Sequence, residues 1–149
     1  MLACGKKNNR IYTMRSKFEA KIAKQLKAAK IKYEYEPFSL DYYVPVPNHI
    51  CLKCNSDLII KPRKYVPDFV IGSVIIEAKG IFSREERTKA RSLHIQLVKW
   101  DFRMVFMYDN WITKKHKSKY SDWCEKNGIT YAIGKIPKEW IEELQSGKT

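Results

Sequence analysis

Val66-Pro67-Asp68-Phe69-Val70-Ile71-Gly72-Ser73-Val74-Ile75-Ile76-Glu77-Ala78-Lys79 is the stretch that decides how this chain folds. Two apolar runs flank Gly72-Ser73. A two-residue loop that opens on glycine suits a tight hairpin, because glycine takes the backbone conformation of such a turn without a steric penalty. Strands are expected over 66–71 and 74–79. Counting outward from the turn, Ile71 faces Val74, Val70 faces Ile75, Phe69 faces Ile76 and Asp68 faces Glu77. Directly opposed side chains have Cβ atoms about 4.5–5.5 Å apart, so two carboxylates placed this way repel unless a cation lies between them. Glu77 and Lys79 are two residues apart and project from one face of their strand. The other face carries Phe69, Ile76 and Ala78. The expected hairpin has Asp68, Glu77 and Lys79 on one side and an apolar back.

Two carboxylates with open positions suit Mg²⁺, which is commonly held by one or two carboxylates together with phosphate and water. Mn²⁺ is expected to substitute. Such an ion polarises a phosphoryl oxygen and lowers the pKa of a bound water. Lys79 would orient that water or stabilise charge in the transition state. Any one of the three residues alone reads as ordinary surface charge. The set does not, because like charges in direct opposition need a cation.

On the N-terminal side, Met14, Phe18, Ile22 and Leu26 recur every four residues and make one apolar helix stripe over about 15–30. Glu19 lies on this helix and can turn towards the sheet beside Ile22 and Leu26, as a third metal ligand. The ordinary alternative is an ion pair with Arg15 or Lys21. Ile31, Tyr33 and Tyr35 alternate with charged residues and read as a strand. Leu40–Val46 reads as another extended segment, ended by prolines. Residues 48–64 are the least regular stretch. On the C-terminal side, Ser83-Arg84-Glu85-Glu86 is a capping box that starts a helix with Ala90, Leu93, Leu97 and Val98 buried. His94 falls on that stripe. A strand over 102–108, a basic loop from Lys114 to Lys119 that includes His116, a helix over 120–126 closed by Gly128, a strand over 129–133 and a helix opened by Pro137 complete the chain. Strands interleaved with helices make the class α/β or α+β. Trp100, Trp123 and Trp140 are expected in packing, with Trp111, beside the basic loop, as the exception.

The 149 residues hold 29 Lys and Arg against 16 Asp and Glu, a net charge of +13. Residues 1–32 carry a net +9, with Glu19 the lone acid among them. This asymmetry and a pI of 9.6 point to a polyanion partner and argue against an enzyme for small neutral substrates. No apolar run is long enough to span a bilayer, and Leu2-Ala3-Cys4-Gly5 lacks the preceding regions of a lipoprotein signal. A soluble, intracellular protein without a membrane partner is expected. Four cysteines in such a chain do not suggest a disulfide scaffold. Cys51 and Cys54 form half of a zinc knuckle, with His49 a further candidate ligand for Zn²⁺ and two reduced thiols in a surface hairpin the alternative.

Pro67-Asp68 followed by Glu77-Ala78-Lys79 resembles the PD-(D/E)xK nuclease signature. The chain is also similar, in order from about Arg15 to Glu142, to the phage endonuclease I family, the Holliday-junction resolvases of T-odd coliphages. The similarity rests on Arg15-Ser16-Lys17-Phe18-Glu19, Lys24-Gln25-Leu26, Tyr33-Glu34-Tyr35-Glu36, Pro47-Asn48-His49, Val66-Pro67-Asp68-Phe69, Lys79-Gly80, Trp123 to Ile129 and Ile136 to Ile141. The resemblance implies a restriction-endonuclease-like core, a mixed sheet flanked by helices. It implies a Mg²⁺-dependent endonuclease that cuts branched DNA, chiefly four-way junctions, in the host cytoplasm. Glu19, Asp68 and Glu77 would be acidic metal ligands, and Lys79 would assist the attack. The family is an intertwined homodimer in which the first helix and strand complete the other chain's site. By that analogy Glu19 would serve the partner's Asp68 and the partner's Glu77.

The organisation expected is a basic arm over 1–14, a nuclease domain over 15–145 with an inserted or bridging segment at 48–65, and a tail over 146–149. Arg15, Lys17, Lys21, Lys24, Lys64, Arg84, Arg87, Lys114, Lys115 and Lys117 are the candidate DNA contacts, with Lys89 and Arg91 also on the helix that follows the hairpin. Two other readings stand beside the junction nuclease. One is a different PD-(D/E)xK DNA nuclease. The other is a non-catalytic basic DNA-binding module, which would not need the carboxylate hairpin.

Overall fold

The structure, a computed structural model, describes residues 13–46 and 59–147. The expected arm up to Tyr12 and the Cys51, Cys54 and His49 zinc site lie outside the described residues.

Helix α1 spans Lys17–Ala28. Ser16 caps it by accepting the Glu19 N–H at 3.1 Å. Phe18, Ile22 and Leu26 are buried, as the four-residue spacing requires, and Lys17, Lys21 and Lys24 are exposed. The strand that follows is shorter than the alternation suggests. β1 is only Glu34–Tyr35. Ile31 is tied back to the helix by its N–H to Leu26 O, and Glu36 takes a left-handed backbone with φ 46°. These two constraints trim the strand at both ends.

β2 (Leu40–Val46) and β3 (Ile59–Tyr65) form an antiparallel ribbon. β3 corrects the reading of residues 48–64 as irregular, which Pro62 and its basic neighbours had suggested. Pro62 is tolerated because it faces Tyr43. The Tyr43 N–H and C=O bond the Gln96 side-chain amide at 2.8 and 2.7 Å instead. A proline without an N–H fits a ladder position where no bond is made.

The decisive hairpin has the expected register. β4 (Phe69–Ile71) and β5 (Val74–Lys79) pair Ile71 with Val74, Val70 with Ile75 and Phe69 with Ile76. Gly72 turns with φ 59°. β4 starts three residues later than expected, because Tyr65 belongs to the ribbon and Val66 is exposed.

Five strands make a mixed sheet in the order β1-β4-β5-β6-β7, with β6 at Asp101–Phe106 and β7 at Thr130–Ile133. β5, β6 and β7 are parallel. Helices α2 (Arg84–Gln96) and α3 (Tyr120–Asn127) are the crossovers between them. Gly128, at φ 66°, caps α3, and α4 runs over Lys138–Ser146. One core joins α1 and α4 to Phe69, Ile71, Ile76, Ala78 and Val105. The other joins α2, α3, Tyr42 and Tyr65 to Val70, Ile75, Met104 and Phe106. Every residue from Val74 to Ala78 is buried. The expected wet face is therefore corrected: helices cover both faces of the sheet, as in parallel sheets generally. Ala90, Leu93 and Leu97 are buried, but Val98 is 83% exposed because α2 has already ended. His94 is half-buried. Trp100 packs on Phe38 and Trp123 on Phe82, while Trp111 stays exposed. No helix among the described residues is long and apolar enough to cross a membrane.

Candidate active site

The carboxyl end of β5 and the residue just before β4 lie together, because the two strands run antiparallel. Asp68 and Glu77 meet there and brace each other. Asp68 Oδ2 accepts the Ala78 N–H at 2.9 Å, and Glu77 Oε1 lies 3.4 Å from the Asp68 backbone N. The pairing deduced from the turn thus holds one step past the end of the ladder. Glu77 is 2% exposed, on the α2 side of the sheet with Ile75. Its Oε1 also accepts the Tyr65 hydroxyl at 2.5 Å. Lys79 Nζ stands 3.4 Å from Glu77 Oε2 and 2.9 Å from Glu86 Oε2.

These contacts fix the electrostatics. Burial and the neighbouring Glu77 carboxylate push the Asp68 carboxyl up to about 8, against the smaller opposing pull of the Ala78 N–H and Lys79. Burial alone would lower the Lys79 ammonium, but Glu77 and Glu86 outweigh it and raise its pKa. Lys79 is therefore a cation throughout the physiological range. Burial and Glu77 hold the Tyr65 hydroxyl well above its ordinary value, so it serves as a proton donor.

Glu19 is 8% exposed, as expected of an acid turned inward. It comes from the α1 face of the sheet. Its Oε1 accepts the Ser16 hydroxyl at 3.0 Å and its Oε2 the Tyr35 hydroxyl at 2.6 Å. Burial and Glu19 raise the Tyr35 pKa. Glu19 is close enough to Asp68 of the same chain to add to the rise in its pKa. Among the described residues, however, no three His, Cys, Asp or Glu side chains come together closely enough to hold one metal ion. The structure thus brings Asp68, Glu77 and Lys79 together and sets Glu19 behind them.

The candidate DNA contacts are spread over both faces. Lys17, Lys21, Lys24, Arg84, Lys114, Lys115 and Lys117 are exposed. Arg15 pairs with Glu36 at 2.8 Å and Lys64 with Asp41 at 2.6 Å. Arg87 is half-buried and donates to Phe82 O at 2.7 Å.

Two neighbours of the site were not visible as such in the sequence. Glu86 reads as the return arm of the capping box. Only the Ser83 half of the box is formed, by the Glu86 N–H at 3.2 Å, and the Glu86 carboxylate goes to Lys79. Tyr65 reaches Glu77 only because the ribbon folds against α2. Its one signal was position, two residues ahead of Pro67-Asp68.

Known proteins resemble this chain over most of its length. The family described as phage endonuclease I matches residues 2–148. Endonuclease I of Escherichia phage T7 is 34% identical over 138 residues, covering 90% of this chain and 82% of the T7 protein. Endodeoxyribonuclease 1 of Enterobacteria phage T3 is 31% identical over 131 residues, covering 87% of this chain and 77% of the T3 protein. With a family match over nearly its whole length, the chain belongs to the phage endonuclease I family.

Proposed function

We propose that this chain is a Mg²⁺-dependent endodeoxyribonuclease of the PD-(D/E)xK type, which hydrolyses phosphodiesters in branched DNA, above all four-way junctions, as an intertwined homodimer. One observation carries the chemistry. Asp68 and Glu77 are braced together, Glu77 buried and Asp68 partly so, and Lys79 is shared with a third carboxylate, Glu86. Burial and the Glu77 carboxylate raise the Asp68 pKa, which supports a place that favours positive charge. The donors fit Mg²⁺, being hard carboxylate oxygens. Asp68 Oδ1 receives no hydrogen bond from any described residue, and Asp68 is half-open to solvent.

Asp68 and Glu77 would hold the ion. When bound, it supplies polarisation of the scissile phosphate and a lower pKa for the attacking water. The other roles belong to the chain's own groups. The Lys79 ammonium, aimed by Glu77 and Glu86, donates to the phosphate oxygens as charge builds on them and orients the water. The Tyr65 hydroxyl holds the Glu77 carboxylate in one rotamer. Glu19, fixed by Ser16 and Tyr35, adds negative potential at Asp68, which favours cation binding once the proton leaves. A dimer with two-fold symmetry supplies two such sites to a two-fold junction and so allows paired nicks. The net charge of +13 supports the polyanionic substrate.

The test is cleavage of a four-way junction against linear duplex built from the same arms, with and without Mg²⁺. The wild type is expected to cut the junction in preference to the duplex and only with metal. Glu77→Gln is expected to bind the junction and leave it intact. Cutting by Glu77→Gln at the wild-type rate would refute the assignment.

A further inference from the structure

β5 and β6 run side by side in parallel, Lys79 opposite Phe106, and the Met107 N–H bonds Lys79 O at 2.9 Å. The chain therefore leaves the sheet twice at one place, through Gly80-Ile81 and through Met107-Tyr108, immediately beyond Lys79. Ile81 is 79% exposed, Tyr108 65% and, three residues further on, Trp111 45%. Single exposed apolar side chains need no explanation, but two on adjoining chain exits just past Lys79, with a third further along the same loop, do.

These side chains stand on a fixed base. The Phe82 N–H bonds Tyr120 Oη at 3.1 Å, and the Phe82 ring packs on Phe106 with centroids 4.9 Å apart. Asp109 accepts the Ser121 N–H and hydroxyl at 3.0 and 2.6 Å. A bridge between Trp111 and Lys119 closes the basic loop, with the Ile112 N–H on Ser118 O at 2.8 Å. His116 stacks on Trp111 with ring centroids 5.1 Å apart, and Lys119 Nζ lies 4.9 Å from the same ring. The loop carries Lys114, Lys115 and Lys117, all exposed.

We propose that Ile81 and Tyr108, flanked by the Trp111 loop, form a wedge that takes the exposed face of a base pair at a DNA branch point, while the loop lysines hold the adjoining phosphates. This deepens, and rests on, the junction-nuclease reading. The charge selects the occupant: an apolar rim followed in the chain by a lysine-bearing loop matches a base face with phosphates beside it. An uninterrupted duplex keeps its base faces stacked inside and offers none to such a wedge. A branch point exposes or loosens one, and apolar or aromatic side chains that stack there repay the unstacking. The wedge would thus contribute discrimination, and the lysines affinity.

The experiment uses full-length wild type, Tyr108→Ala, Tyr108→Phe and Lys115→Gln. Each is assayed in Mg²⁺ for cleavage of a four-way junction and of linear duplex from the same arms. 2-Aminopurine at the branch-flanking position reports unstacking in Ca²⁺. Melting temperatures check folding, which so exposed a side chain should not alter. The junction-to-duplex ratio of Tyr108→Ala is expected to fall about tenfold, with the 2-aminopurine change lost and Tyr108→Phe restoring both. Lys115→Gln is expected to weaken both substrates alike. A Tyr108→Ala ratio equal to wild type overturns the wedge, as does a changed oligomeric state, which would assign the rim to a second copy. Wild type that cuts duplex as fast as junction overturns the junction reading, and the wedge with it. The wild-type lanes alone reveal that failure.

Discussion

Two buried charge clusters lie at opposite ends of the same sheet, and they are balanced in opposite ways. At the amino end of β6, Arg103 is 4% exposed. Asp101 Oδ2 accepts from its Nε at 3.1 Å, and Glu143 from its two terminal nitrogens at 3.0 and 2.8 Å. Trp140 lies beneath it at 5.1 Å. The buried ion is the cation, and both carboxylates keep one side in water. At the carboxyl end of β5 the buried ion is an anion. Glu77 is more enclosed than its cation Lys79, Lys79 is shared with Glu86, and burial and Glu77 push the Asp68 carboxyl up to about 8. The first cluster is complete within the chain and pins α4 to the sheet. The second lacks positive charge, and a set of groups in that state is suited to a cation from outside.

Substitutions can break this contrast. The largest effect is expected from Glu77→Gln, which keeps an acceptor for Tyr65 but removes the charge. Cleavage in Mg²⁺ should fall by roughly 10²–10³-fold, read from initial rates, with the melting temperature little changed. Arg103→Met should act the other way round. Unfolding free energy should drop by about 1–3 kcal/mol in urea titration, while cleavage per folded molecule stays at the wild-type level. A rate loss there would mean that the two clusters are coupled.

The third prediction concerns pH. The Asp68 carboxyl is raised from its ordinary value to about 8 in the folded chain. Between those values the folded protein holds a proton that the unfolded chain has released. Without metal, its contribution therefore favours folding at low pH and is lost as pH rises towards about 8. Thermal melts in EDTA should show a decline from pH 5 to pH 8.5 that is shallower in Asp68→Asn. An unchanged slope in that variant would place the proton elsewhere. The smallest effect is expected from Glu86→Gln. Lys79 retains Glu77 but loses its second carboxylate, so cleavage should slow by about tenfold or less, with junction binding unaffected.

Where local chemistry governs, the sequence already carried the outcome. Gly72-Ser73 set the hairpin register, Ser83 started α2 and Gly128 ended α3, because each acts within a few residues. The meeting of Asp68 and Glu77 followed from the same count. What was not legible depends on distant partners. β3 was hidden because Pro62 is acceptable only where Tyr43 turns to Gln96. The sidedness of the hairpin was missed because α1 and α2, far apart in sequence, cover opposite faces. Tyr65 and Glu86 became visible only when the ribbon and helix were packed, and Glu86 had a competing local role in the capping box. Arg103 did leave a trace, a lone charge inside the apolar run Phe102 to Tyr108.

The central claim is that Asp68 and Glu77 exchange a proton for a divalent cation. Calorimetric titration of Mg²⁺ at pH 7, in two buffers of different ionisation enthalpy, measures that exchange directly. The account predicts binding with the release of close to one proton, diminishing as pH passes about 8 and lost in Asp68→Asn and Glu77→Gln. Mg²⁺ binding without proton release, or equal binding in both variants, would contradict it.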